Sequence, residues 1–171
     1  KNSGLPNGVY NVLTGYGNKI GKTLVEHKDI SMISFTGSTE NGRSVMASAS
    51  KNLAKVSLEL GGKSPIIVFS DADLEKAANA VIAGFTDNAG QCCIATSRLI
   101  VQKSIASDFK KLIALRLQNL RFNQSLATND QFNKVKSYIE KANDLLGEKM
   151  IGGKINEEKQ YISPAIIELN D

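Results

Sequence analysis

Lys55–Phe85 reads KVSLELGGKSPIIVFSDADLEKAANAVIAGF, and its hydrophobic pattern changes from strand-like to helical along the way. In Lys55–Leu60 successive side chains face opposite ways, so Leu58 and Leu60 point to one side of a strand and Glu59 to the other. Gly61 and Gly62 end that strand. Pro65–Phe69 is a second, continuous apolar run. From Asp71 or Asp73 onward the spacing becomes helical: Leu74, Ala77, Ala78, Val81, Ile82 and Phe85 recur at steps of three and four and share one face. An Asp supplies the N-cap oxygen, and Glu75 sits favourably at the positive end of the helix dipole.

The same alternation continues in both directions. Downstream, Arg98–Gln102 reads as a strand, Ile105–Asn119 and Gln131–Leu146 as helices, and Tyr161–Leu169 as extended chain. Upstream, Val9–Leu13 reads as a short strand, followed by the glycine-rich turn TGYGNKIG and a helix over Lys19–His27. Ile30–Phe35 is a short buried strand, TGSTENG a sharp turn, and Glu40–Leu53 a helix. Strands alternating with helices predict an α/β fold with a parallel sheet. There is no internal repeat, low-complexity tract or Pro/Ser-rich linker, and the expected seam lies at LELGGKSP.

Composition narrows the function classes. With 42% hydrophobic and 22% charged residues over 171 positions, the chain has a globular balance. No run of 18 apolar residues is present, so no transmembrane helix is expected. The start, KNSGLPNGVYNVL, has no apolar core of a signal peptide, and two cysteines make no disulfide framework, so a reducing cytoplasm is the expected setting. The net charge is +4, but the basic residues are scattered. The densest basic stretch, Lys103–Arg121, carries apolar residues at helical spacing and reads as a solvated helix face, so nucleic acid is not an expected partner. An anionic cofactor or substrate fits the mild positive balance.

Three stretches could carry chemistry. In ISFTGSTENGR a buried strand runs through Gly37–Gly42 into a helix, whose N-terminal N–H groups suit a phosphate. Gly37 would admit a ligand closely and the Ser38 hydroxyl could donate to its oxygen; a plain strand-to-helix turn capped by Ser or Thr is the competing reading. In LELGG, Glu59 is either a carboxylate at the strand edge in water, or a base looking into a cleft. In NAGQCCIATSR, Cys92 and Cys93 stand at a helix-to-strand junction. A thiolate favoured by nearby backbone donors is nucleophilic, whereas a buried free cysteine is usually packing. His27, the single histidine, has no metal-ligand spacing to the cysteines, so no metal site is expected and a Cys–His pair is disfavoured.

In this order and spacing, FTGSTENGR, LELGGKSP and NAGQCCIATSR resemble the successive signature segments of the NAD(P)-dependent aldehyde dehydrogenase superfamily. LPNGVYNVLTGYG and GGKSPIIVFSDADLEKA extend the resemblance over nearly the whole chain. The resemblance implies a Rossmann-like cofactor domain continuing into part of an α/β catalytic domain: residues 1–61 would be the second half of the NAD(P)-binding domain and 62–171 the first part of the catalytic domain. It implies NAD or NADP as cofactor and a small-molecule aldehyde as substrate. It assigns the nucleophile to Cys93 and leaves Cys92 as packing, and it makes Glu59 the general base. Gly37, Ser38, Thr39 and Gly42 would lie against the cofactor pyrophosphate, Gly17 and Gly21 on the adenine side, and Leu60 and Gly61 near the nicotinamide.

The implied reaction oxidises an aldehyde to a carboxylic acid through a thiohemiacetal and a thioester on Cys93, with Glu59 activating the hydrolytic water. A CoA-acylating relative is the nearest alternative, and a base kept in LELGG argues against it. A non-catalytic dinucleotide-binding or structural module, with Cys93 inert, is the alternative from another class. Chains of the family are much longer, so these residues are expected to belong to a larger cytoplasmic protein, a homo-oligomer (dimer or tetramer), and to be inactive alone. The connection NQSLATNDQF after NLRF is shorter than the Gly/Pro-containing loop that the family usually has there.

Overall fold

The computed structural model describes residues 4–146 and 150–169. The chain divides into two compact units at the Gly61–Gly62 step. In the first, a single π-helical turn, Gly17–Gly21, leads into the short helix α1, Lys22–Val25. Strand β1, Met32–Gly37, helix α2, Thr39–Ser50, and strand β2, Lys55–Leu60, follow as one β-α-β crossover. β1 and β2 pair in parallel, with Met32 opposite Lys55 and Gly37 opposite Leu60. The alternation of Val56, Leu58 and Leu60 with Lys55, Ser57 and Glu59 is kept: the first set is half-buried and the second exposed.

Helix α2 begins where Ser38 turns extended and its Oγ accepts the Asn41 N–H at 3.2 Å. Gly42, Val45 and Ala49 form its buried stripe. At Gly42 the helix lies so close to β2 that an added Cβ would stand 2.6 Å from Leu60 Cδ2, so glycine here sets the packing distance. The chain leaves α2 through Leu53 in left-handed backbone, φ 54, and the Ala54 N–H reaches back to the Ala49 carbonyl.

Val9–Leu13 is not a strand. It is turn and irregular chain, with Val9, Tyr10, Val12 and Leu13 all more than 60% exposed. A strand needs a neighbour to take its backbone N–H and C=O groups, and no described residue pairs with this segment. The π-turn and α1 together occupy most of the helix expected over Lys19–His27. β1 starts two residues later than Ile30 and runs two residues past Phe35, carrying Thr36 and Gly37 into the sheet.

The second unit opens with β3, Ser64–Val68, then α3, Leu74–Thr86, and β4, Thr96–Val101. β3 and β4 are parallel, with Ile66–Val68 opposite Leu99–Val101 and a register shift between Ser64 and Pro65, where proline has no N–H to offer the ladder. Helices α4, Ala106–Asn119, and α5, Asn129–Leu146, come next. Val68, Ala78, Val81, Ile82, Phe109, Ile113 and Leu117 make the main core, so the stripe read from α3 packs against the inner face of α4. Leu126, Phe132 and Ile162 form a smaller core under α5.

The extended C-terminal stretch pairs antiparallel: β5, Met150–Gly152, with β8, Ala165–Ile167, and β6, Ile155–Asn156, with β7, Tyr161–Ile162. Gly152 allows the first pairing, because it holds φ +87 and an added Cβ would collide with the Pro164 carbonyl oxygen at 2.0 Å.

Candidate active site

The sequence-predicted residues fall into two groups, one in each unit. In the first unit the carboxyl ends of β1 and β2 lie side by side. Thr36 stands opposite Glu59 and Gly37 opposite Leu60, and Ser38, Thr39 and Gly42 follow on the first turn of α2. The parallel pairing therefore brings together Gly37, Ser38, Thr39, Gly42, Glu59 and Leu60, with Gly61 next in the chain. In open α/β sheets this edge is where ligands bind. The first N–H groups of α2 have no partner within the helix. The Ser38 Oγ caps Asn41 as acceptor, which leaves its proton free to donate. Glu59 is exposed, on the face opposite Leu58 and Leu60.

The glycines differ in what they do. Gly37 and Gly42 leave no room for a Cβ, the first because of the Phe35 ring at 2.6 Å and the second because of Leu60. Gly42 is buried under Leu60, so its absent side chain serves helix packing directly. Gly17, Gly21 and Gly61 have open space where a Cβ would go. Gly17 and Gly21 bound the π-turn.

In the second unit, α3 delivers the cysteines. Asp73 caps that helix: its carboxylate accepts the Lys76 N–H and pairs with the Lys76 ammonium, and these bonds hold it below the ordinary carboxylate range. The helix leaves through Thr86 into a tight turn in which Asn88 (φ 48), Ala89 (φ 58) and Gly90 (φ 72) are all left-handed. Gln91 and Cys92 are half-buried; Cys93 and Ile94 are exposed on a turn closed by the Ala95 N–H on the Cys92 carbonyl at 3.1 Å. β4 then begins at Thr96. Gly84 of α3 lies directly over it, since a Cβ there would be 2.5 Å from Thr96 Oγ1. The two neighbouring cysteines thus differ, with Cys93 exposed and Cys92 half-buried.

Two residues in the cysteine motif went unassigned in the sequence reading. Arg98 sends its Nε and Nη2 to the Lys63 carbonyl, at 2.9 Å and 2.5 Å, and so braces the chain entering β3 against β4. Gln91 accepts the Ala127 N–H at 2.8 Å. Both partners lie more than thirty positions away in sequence, and each is a backbone group, which no side-chain pattern advertises. A cavity of ≈ 400 Å³ elsewhere in this unit, lined by Leu117, Phe122, Lys154 and Tyr161 among others, includes none of the predicted site residues.

Among the described residues, no group of three or more His, Cys, Asp or Glu side chains gathers to hold a metal ion. No helix among them is long and apolar enough to cross a membrane.

The model of the aldehyde dehydrogenase family matches residues 1–170. Aldehyde dehydrogenase family 2 member C4 of Arabidopsis thaliana is 38% identical over 177 residues, which is 97% of this chain and 35% of that protein. The crystal structure of PnpE from Pseudomonas sp. WBC-3 superposes with a TM-score of 0.87 at 36% identity, covering 98% of this chain and 37% of that one. Betaine aldehyde dehydrogenase from Staphylococcus aureus, solved in complex with NAD+, superposes with a TM-score of 0.82 at 32% identity, covering 92% of this chain and 34% of that one. The chain spans about a third of the length of the relatives it matches.

Proposed function

Because this chain belongs to the aldehyde dehydrogenase family, we propose that it contributes the nucleophile and the general base of an NAD(P)-linked oxidation of an aldehyde to a carboxylic acid. The observation that carries this reading is the exposure of Cys93, on a turn whose neighbouring thiol is half-buried. An exposed sulfur at a chain junction can meet a carbonyl carbon; a packed one cannot.

Two features of the strand end suit a dinucleotide. Ser38 has a hydroxyl proton to give, and α2 offers unpaired N–H groups to a diphosphate. Bound there, the nicotinamide dinucleotide supplies the two-electron acceptor. Gly37, Ser38, Thr39 and Gly42 would hold the diphosphate, and Leu60 and Gly61 would flank the nicotinamide end. Gly17 and Gly21 are assigned to the adenine side.

The chain's own residues divide the remaining chemistry. The Cys93 sulfur adds to the aldehyde carbon to form a thiohemiacetal, and the Cys93 backbone N–H is a donor for its oxyanion. After oxidation the acyl group is held on sulfur as a thioester. Glu59 removes a proton from water, the hydroxide adds to the thioester carbon, and the C–S bond breaks to release the acid and return the thiol. Splitting the oxidation in this way replaces one difficult displacement by two easier ones.

The test is selective alkylation of the purified protein with iodoacetamide, followed by peptide mapping with and without NAD. Cys93 should label before Cys92, and NAD should change its rate. Equal, slow labelling of both thiols, indifferent to NAD, would return Cys93 to a packing role. Product analysis with added CoA completes the test: free acid supports the reading, and acyl-CoA would replace water by CoA as the acyl acceptor.

A further inference from the structure

We propose that Gln91 is a positioning residue for the nucleophile, holding the Cys93 turn to the connection between α4 and α5; the proposal rests on the reading of Cys93 given above. Cys93 is exposed, so little packing on its own side chain fixes where the sulfur points. Its placement must come from the backbone just before it. That backbone is unusual: Asn88 and Ala89 hold left-handed conformations (φ 48, ψ 40 and φ 58, ψ 29), which L-residues avoid unless surrounding bonds enforce them.

The enforcing bonds converge on Gln91. Its backbone N–H donates to the Asn88 carbonyl at 3.0 Å, and its side-chain Nε2 donates to the same oxygen at 3.1 Å. The Asn88 Nδ2 returns a bond to the Gln91 carbonyl at 3.3 Å. The remaining end of the amide, Oε1, accepts the Ala127 N–H at 2.8 Å. Gln91 therefore locks the left-handed turn with one end of its amide and anchors it with the other.

The anchor is itself held. Leu126 is buried, and its N–H donates to the Gln160 carbonyl at 3.1 Å. The Ser125 hydroxyl donates to the Lys159 carbonyl at 2.9 Å. Ala89 packs against the same small core of Leu126, Phe132 and Ile162. The connection between α4 and α5 thus supplies a backbone donor, the Ala127 N–H, to Gln91, which stands two positions before the nucleophile. Attack on a carbonyl is sensitive to displacements of an ångström or less, so a slackened turn should slow reactions at sulfur more than it weakens binding.

The experiment compares the native protein with Gln91→Met, which keeps the side chain's length and loses both ends of the amide. Expected are about tenfold slower alkylation of Cys93 and about tenfold faster amide exchange at Ala127. In turnover, kcat should fall while KM stays within about twofold of native. Gln91→Glu, which keeps an acceptor for the Ala127 N–H, should retain protection at Ala127. A folded Gln91→Met protein with native labelling and native exchange overturns the proposal. Lost protection with labelling unchanged also overturns it, since Gln91 would then hold the connection without placing the sulfur. If Gln91→Met does not fold, Gln91→Glu decides: slower labelling of Cys93, from loss of the Nε2 bond to the Asn88 carbonyl, upholds the proposal, and native labelling sinks it. Labelling and exchange need no turnover, so a protein that oxidises no aldehyde counts against the proposed function alone.

Discussion

Single positions in this chain carry either strain or chemistry, and the two can be separated by substitution. Leu53 is left-handed with φ 54 and its side chain is 91% exposed, so it gains nothing from packing that would offset its backbone cost. Leu53→Gly, the residue helices favour at this position, should stabilise the protein by about 1 kcal/mol, read as a raised urea midpoint at unchanged slope. Ala89 is a different case: its left-handed backbone is accompanied by packing on Leu126, Phe132 and Ile162, so removing its methyl loses contact as it relieves strain. At Glu59 the expected effect is on rate. Glu59→Gln should still form the acyl-enzyme, visible as a burst of reduced cofactor, while steady-state turnover falls by about 10²-fold or more. Unchanged turnover would remove Glu59 from its assigned role. Glu59 and the Cys92–Cys93 pair were recognisable in sequence as candidates, because a charged residue between leucines and paired thiols after a glycine are local patterns; the family resemblance singled out Cys93. Gln91 and Arg98 were not, because their partners are distant carbonyl and amide groups.

Elements hold together here through close approach of helix to strand and through one apolar stripe per helix. Gly42 is where α2 meets β2. Gly42→Ala pushes a methyl into Leu60, and overpacking of this kind costs about 1–3 kcal/mol. Leu60→Ala should make room for it, so the double variant should be more stable than the sum of the single effects, measured as a coupling energy in denaturant melts. Phe109 of α4 is 1% exposed at the centre of the main core. Phe109→Ala should cost about 3–5 kcal/mol, enough to unfold a marginal domain, and circular dichroism melts would register it directly. The periodicity of α3 was legible because six apolar residues repeat on one face. The β5–β8 and β6–β7 pairings were not, since strands of two or three residues are too short to show a period, and Gly152 announces its strained turn only once the Pro164 carbonyl is in place.

Across the whole molecule, clear shifts in titration among the described residues fall on the cap of α3 and on the pair that Lys136 of α5 makes with Glu157. Asp73 lies below its ordinary range through the Lys76 N–H and ammonium, and Glu157 through the hydrogen bond and charge of Lys136. Lys136 is raised by the same Glu157, with Glu140 adding to it. Carboxylates depressed in the folded state contribute stability that is present above their unfolded values and lost as pH falls through the folded ones. The raised Lys136 contributes stability that is present below its unfolded value and lost as pH rises through the folded one. Melting temperature should therefore decline towards acid and, through Lys136, at strongly alkaline pH, with added salt flattening the Lys136–Glu157 part because that pair is solvent-facing. Asp73→Asn keeps a capping oxygen while removing the titration, so it should weaken the acid dependence and leave the helix start in place. By itself the amino-acid sequence determined the α/β class and the stripe of α3, and narrowed the caps to Asp71 or Asp73 and to Ser or Thr after Gly37, since each follows from the period or chemistry of neighbouring residues; the choice of Cys93 over Cys92 came from the family resemblance. Tertiary structure alone decided that Val9–Leu13 finds no strand partner among the described residues, that Gly37 and Glu59 share the carboxyl edge of one sheet, and that Gln91 reaches Ala127. Those outcomes depend on which backbone groups come together across tens of residues, and hydrogen bonds between distant backbone atoms leave no mark in the order of side chains.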